Sequence, residues 1–107
     1  MRVLIIGSTQ YRSKMKDHAK KLEAEGHAVS MPAFDDHSDF NELELCRYNL
    51  RRVKEADEIH IMWDQRSFGT MFDFGMAFAL GKPIKVVFLE TKTFANVLRM
   101  YEREKNK

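Results

Sequence analysis

Asp73 lies three residues after Thr70 in the stretch SFGTMFDFGMAFALGKP, residues 67 to 83. A carboxylate at that spacing has two uses. With Thr70 it approximates a capping box, Asp standing where Glu or Gln is preferred. Otherwise it points into a crevice, kept ionised by the helix dipole, beside a bound anion or sugar. Ser67, Gly69 and Thr70 precede or open the same helix, at the end where negative charge is favoured. A second set of small polar residues, Gly7, Ser8 and Thr9, follows the first apolar run. Glycine permits close backbone approach, and hydroxyls with free N–H groups at a helix start can bind an anion. Arg12 could add positive charge. The bland alternative is a strand-to-helix turn with Ser or Thr as its cap. Neither stretch is a Walker loop or a GxGxxG fingerprint.

The elements that must position these residues follow from periodicity. RVLIIG (2–7), EIHIMW (58–63) and IKVVFLE (84–90) are apolar runs rich in Val and Ile, and HAVSM (27–31) is a weaker one. The first is continuous rather than alternating, as expected of a parallel strand covered on both faces. Between them lie helical patterns. Residues 12–26 end in Gly26, suited to a helix C-terminus. Residues 41–57 place Leu43, Cys46, Leu50 and Val53 at helical spacing. Residues 70–81 end at Gly81, and Pro83 blocks continuation. Alternating strands and helices predict an α/β three-layer sandwich with right-handed crossovers and strand order 2-1-3-4. A fifth short strand or a last helix is expected after residue 92. Ligands of such sheets bind beyond the carboxyl ends of the strands, where the order reverses. The loops GSTQYRS (7–13) and DQRSFGT (64–70) leave strands 1 and 3 and should face each other there.

The whole chain bounds the reading. Its 107 residues predict one domain, 1–107, long enough for a modest core. A net charge of +2 does not call for a nucleic acid polymer, and it is compatible with an anionic small molecule. Cys46 is the only cysteine, so no internal disulfide can form and a reducing, cytoplasmic setting is expected. The VLII run is too short for a signal-peptide core, and no stretch reaches membrane-span length. The tail YEREKNK (101–107) reads as a solvated, fraying helix end.

Met71, Phe72, Phe74, Met76, Phe78 and Leu80 surround the helix of residues 70–80. One sheet covers one face only, so a second cover is required. A homodimer or higher homo-oligomer through this helix is the expectation, with Gly75 and Ala79 allowing close backbone approach.

The sequence resembles the nucleoside 2-deoxyribosyltransferase family. The resemblance rests on EAD (55–57), an apolar strand, a polar loop and then SFGTMFDFGMAFALGKPI. The family pattern is an acidic AD, a strand, then G-T-x-x-E-x-G-x-A-x-A-x-G-K-P. The S-x-G before the helix is also similar to the deoxynucleoside monophosphate N-glycosidase branch. Residues 49–88 match well, and the first strand with its loop loosely. The resemblance implies a flavodoxin-like, Rossmann-like fold of four to five strands and an oligomer with shared active sites. It implies cleavage of an N-glycosidic bond, or deoxyribosyl transfer, on a deoxynucleoside or its monophosphate. The family's nucleophilic Glu falls on Asp73, and a second family acid falls on Asn49. Gly7, Ser8, Thr9 and Gln10 fall on a loop that contacts base and phosphate, and Ser67 and Gly69 on phosphate-contacting positions. A carboxylate under the anomeric carbon stabilises the charge that develops as the bond breaks, or attacks to form a glycosyl-enzyme. No cofactor or metal is implied.

The sequence departs from the family twice. Asp73 is one methylene shorter than Glu, and Asn49 cannot act as an acid although it can orient a group. These changes favour a rival of the same fold, a module that binds a nucleotide or nucleotide-sugar without cleaving it. The YRSK stretch also lacks the Gly pair of the monophosphate branch. A flavin-binding flavodoxin-like protein is disfavoured by the lack of a Thr- and Gly-rich loop after strand 1. His18, His27, His37 and His60 have no metal spacing, and His60 reads as a packed or hydrogen-bonded strand residue. DDHSD (35–39) reads as a solvated loop, which in the family would approach the substrate as a lid. Cys46 reads as a small core residue. Trp63 reads as core, with stacking on a base as the alternative.

Overall fold

The computed structural model describes residues 1–31, 39–90 and 94–106. Four parallel strands form one sheet in the order β2-β1-β3-β4: β1 is Arg2–Gly7, β2 Ala28–Ser30, β3 Glu58–Trp63 and β4 Ile84–Leu89. Helices α1 (Arg12–Ala24), α2 (Glu42–Glu55), α3 (Phe68–Ala79) and α4 (Phe94–Lys105) alternate with them. The last element is thus a helix, α4. Of the DDHSD stretch, residues 35–38 lie outside the described residues.

The continuous apolar run of β1 is explained by cover on both sides. Val3 and Ile5 pack with Tyr11, Met15, Ala19, Leu22 and Met62 beneath α1. Leu4 and Ile6 pack with Val53, Ala56, Ile59, Ile61 and Ala77 beneath α2 and α3. Those four β1 side chains are at most 1% exposed. Burying each contributes roughly 1.5–3 kcal/mol. On α2 the expected stripe is thinner than its periodicity suggested. Val53 is buried, whereas Leu43 is 57% exposed.

Two polar devices hold the frame. Lys82, in the turn after α3, donates from Nζ to Lys54 O (2.9 Å) and Ala56 O (2.8 Å). A cation there satisfies carbonyls at the negative end of α2. His60 is 3% exposed and donates from Nε2 to Glu58 Oε1 at 2.9 Å, while its Nδ1 lies 2.8 Å from His18 Nε2.

Large apolar side chains are left exposed on three elements. Phe68, Phe72 and Phe78 of α3 are 90%, 52% and 76% exposed, and Ile84 and Val86 of β4 are exposed beside them. No residue of α4 is buried, although Phe94, Val97, Leu98 and Tyr101 make an apolar stripe along it. Among the described residues no helix is long and apolar enough to cross a membrane.

Candidate functional site

The two loops beyond β1 and β3 meet. Gly7 ends β1, and a Cβ there would lie 2.5 Å from Met62 O, so only glycine lets the strands close at this point. Ser8 N then donates to Met62 O (3.2 Å), and Tyr11 N to Ser8 O (2.9 Å), which turns the chain into a 3₁₀ turn, Thr9–Tyr11, ahead of α1. Beyond β3, Gln65 adopts a left-handed backbone (φ 65°). The N–H groups of Arg66 and Ser67 turn back onto Asp64 Oδ1, at 2.8 and 2.9 Å. Gln10 Nε2 crosses from the β1 loop to Asp64 Oδ2 at 2.9 Å, tying the two loops together. Burial opposes ionisation of Asp64. Hydrogen bonds from Arg66 N and Ser67 N, with the Ser8 hydroxyl nearby, outweigh it and hold the carboxyl below its ordinary range.

Helix α3 starts earlier than its periodicity indicated, at Phe68, because Ser67 is its cap. Ser67 Oγ accepts from Thr70 N at 3.2 Å and lies 2.9 Å from Thr70 Oγ1. Asp73 therefore is not part of a capping box with Thr70. It sits a turn and a half into the helix, 6% exposed, facing α2. The dipole acts within the first turn of a helix and does not reach it with force. Burial pushes the Asp73 carboxyl up to about 7, and a hydrogen bond from the Asn49 side chain pulls the other way. The expectation of a carboxylate kept ionised by the dipole is corrected accordingly.

A cavity of about 590 Å³ opens between the loops. Gly7, Ser8, Thr9 and Gln10 form one wall, and Asp64, Ser67, Gly69, Thr70, Phe72 and Asp73 another. The third wall is one face of α2, Glu42, Leu45, Cys46 and Asn49, at i, i+3, i+4 and i+7. Arg12 is half-buried at the start of α1 and does not line the cavity. Cys46 is half-buried on the cavity wall rather than a core residue. Trp63 does not reach the cavity. It is half-buried, and its Nε1 donates to Ser67 O at 3.2 Å. Among the described residues no group of three His, Cys, Asp or Glu side chains is placed to hold a metal ion.

Asp64, Glu42 and Leu45 were not singled out from sequence, and Phe72 only as part of the apolar surround of its helix. Asp64 opens the loop that the strand order had marked, so its position was available. Its role as the acceptor that shapes the loop required the backbone. The Glu42–Asn49 stripe has helical spacing but mixed polarity, and only the placement of α2 turns it toward the cavity.

The fold and cavity define an α/β protein with a carboxyl-bearing cleft at the strand ends. The chain resembles in structure the CMP N-glycosidase BcmB of Clostridium botulinum, with 25% sequence identity and a TM-score of 0.64. The likeness covers 92% of this chain and 78% of that one. No curated protein matches the chain by sequence. Residues 4–86 match a domain of unknown function, DUF4406, and the chain belongs to that family.

Proposed function

We propose that this chain is an enzyme of the nucleoside 2-deoxyribosyltransferase type that breaks the N-glycosidic bond of a deoxynucleoside or deoxynucleoside monophosphate. The observation that carries the reading is Asp73, a buried carboxyl titrating near 7 in the wall of a cavity shared with the β1 and β3 loops. The likeness to a CMP N-glycosidase supports it. As the C1′–N bond breaks, its electron pair leaves with the base, which takes up a proton from solvent, and the later attacking water or base returns one. The positive charge left on the sugar is stabilised by the Asp73 carboxylate, or captured as an ester bond to C1′. Water or a second base then attacks C1′, the ester C–O bond breaks and the carboxylate is restored. Asn49 orients Asp73, while Gly7, Ser8, Thr9, Gln10, Ser67, Gly69 and Thr70 hold the sugar and its 5′ substituent. This chemistry needs no cofactor.

The reaction uses the ionised carboxyl, so activity should rise with pH through about 7. The test is incubation with a panel of deoxynucleosides and their monophosphates, with and without an acceptor base, followed by chromatography for free base. Free base that disappears in Asp73→Asn supports the enzyme. A second reading, a nucleotide-sensing module, is favoured by Asn49, which has no ionisable proton to give, and by the short side chain at 73. Thermal stabilisation by a nucleotide without turnover would select it.

The exposed apolar face of α3 supports assembly with a second copy of this chain. Phe72 lies both on that face and in the cavity wall, so the same contact would close the site. Light scattering should give a dimer or larger species, and Phe78→Asp should dissociate it.

A further inference from the structure

We infer that His18, His60 and Glu58 form an acid-sensitive latch between α1 and the sheet, a chain of hydrogen bonds that holds one added proton and parts on the second. It lies on the face of the sheet opposite α2 and α3 and does not depend on the glycosidase reading. His18 falls on the buried stripe of α1, among Met15, Ala19 and Leu22. Glu58 and His60 alternate with Met62 along β3 and face the same layer. His60 is 3% exposed, so its ring nitrogens need partners inside the protein. Its Nε2 lies 2.9 Å from Glu58 Oε1, and its Nδ1 lies 2.8 Å from His18 Nε2.

These distances fix where the hydrogens lie. A carboxylate only accepts, so His60 Nε2 carries a hydrogen. The gap between the two rings is one hydrogen bond and holds one hydrogen. With both rings neutral, that hydrogen belongs to His18. One added proton goes to His18 Nδ1 and leaves the chain unbroken, with the shared hydrogen on either ring. A second would put hydrogens on both facing nitrogens and two cations 2.8 Å apart. Glu58 offsets one positive charge. Burial holds the His18 pKa below its ordinary value, and the charges of His60, Lys85 and Lys21 add to this, whereas Glu25 opposes it. Lys85 stands beside His60 on β4, and Lys21 is one turn along α1. Elsewhere in the layer Tyr11 and Lys14 sit against the Phe88 ring, and β1 and β2 bring the apolar Val3, Ile5 and Val29.

Acid therefore works against docking of α1. With α1 lifted away, both rings reach water and each takes a proton below the ordinary value of 6.5. Docked, the pair holds one. The undocked state binds one proton more, so undocking gains up to about tenfold for each pH unit below 6.5. Helix α1 follows directly on the Thr9–Tyr11 turn, so its release loosens the cavity wall formed by Gly7, Ser8, Thr9 and Gln10.

The test is amide hydrogen exchange of α1 at about pH 7.5 and about pH 5.5, in the unaltered chain and in His18→Gln. Glutamine places an N–H near the position of His18 Nε2, can turn its amide to accept instead, and takes up no proton. Chemical exchange rates change with pH alike in both chains and cancel in the ratio, as does the titration of Asp73 on the other face. Protection of α1 should fall about tenfold further in the unaltered chain than in the variant. An equal fall in both overturns the inference. Nitrogen NMR of the imidazoles in the unaltered chain counts protons without relying on the variant to fold. One proton taken up with α1 protected, and a second arriving as that protection is lost, is the result expected. Two protons held with α1 still protected overturn the latch.

Discussion

Asn49 on α2 donates a hydrogen bond to the carboxyl of Asp73 on α3, across the contact between the two helices. The bond favours the charged carboxylate, and burial favours the neutral acid. Burial prevails, so Asp73 titrates near 7 rather than at 3.8.

Asp73 should therefore make stability depend on pH. Below both values the folded and unfolded chains hold the proton equally. As pH rises from 3.8 toward 7 the unfolded chain releases it first, so stability falls and levels off above 7. Asp73→Asn removes the titration. It should be more stable than the unaltered chain by roughly 2–4 kcal/mol at about pH 8, and the gain should vanish in acid. Urea denaturation across the range checks this.

Removing Asn49 takes away a hydrogen bond that favours the charged carboxyl. Asn49→Ala should move the Asp73 titration upward, visible by carbon NMR of its carboxyl. At neutral pH it should also cost about 1–3 kcal/mol, because a buried group loses its partner. In the enzyme reading the rise of activity moves to higher pH with it.

Gly7→Ala places a Cβ 2.5 Å from the backbone oxygen of Met62, which cannot rotate away. β1 and β3 must separate locally at the edge of the cavity. A loss of roughly 1–3 kcal/mol is expected in thermal denaturation, together with weaker ligand binding through displaced Ser8.

Lys82→Met keeps the side chain's length and removes both hydrogen bonds to the end of α2. About 1–2 kcal/mol of stability should be lost. Hydrogen exchange should show the loss as faster opening of the amides around residues 52–57 rather than of β1.

The sequence by itself determined the sheet and its order, because a continuous Val/Ile/Leu strand must be covered twice and alternating helices can do so in few ways. Val3 to Ile6 carry that information in their types alone, and Gly26, Gly81 and Pro83 mark helix ends by local chemistry. The order of the strands also marked which two loops meet. Tertiary structure decided what those loops and their neighbours do. Ser67 rather than Asp73 caps α3, because the turn set by Gln65 brings its hydroxyl to Thr70 N. The Asp73 carboxyl is pushed up to about 7, because folding buries it. Asp64 fills its own loop, and Cys46 borders a cavity, through contacts between residues distant in sequence. Strand and helix patterns are short-range, so residue order carries them. Desolvation and cross-element hydrogen bonds depend on which surfaces meet, and they exist only once the chain has folded.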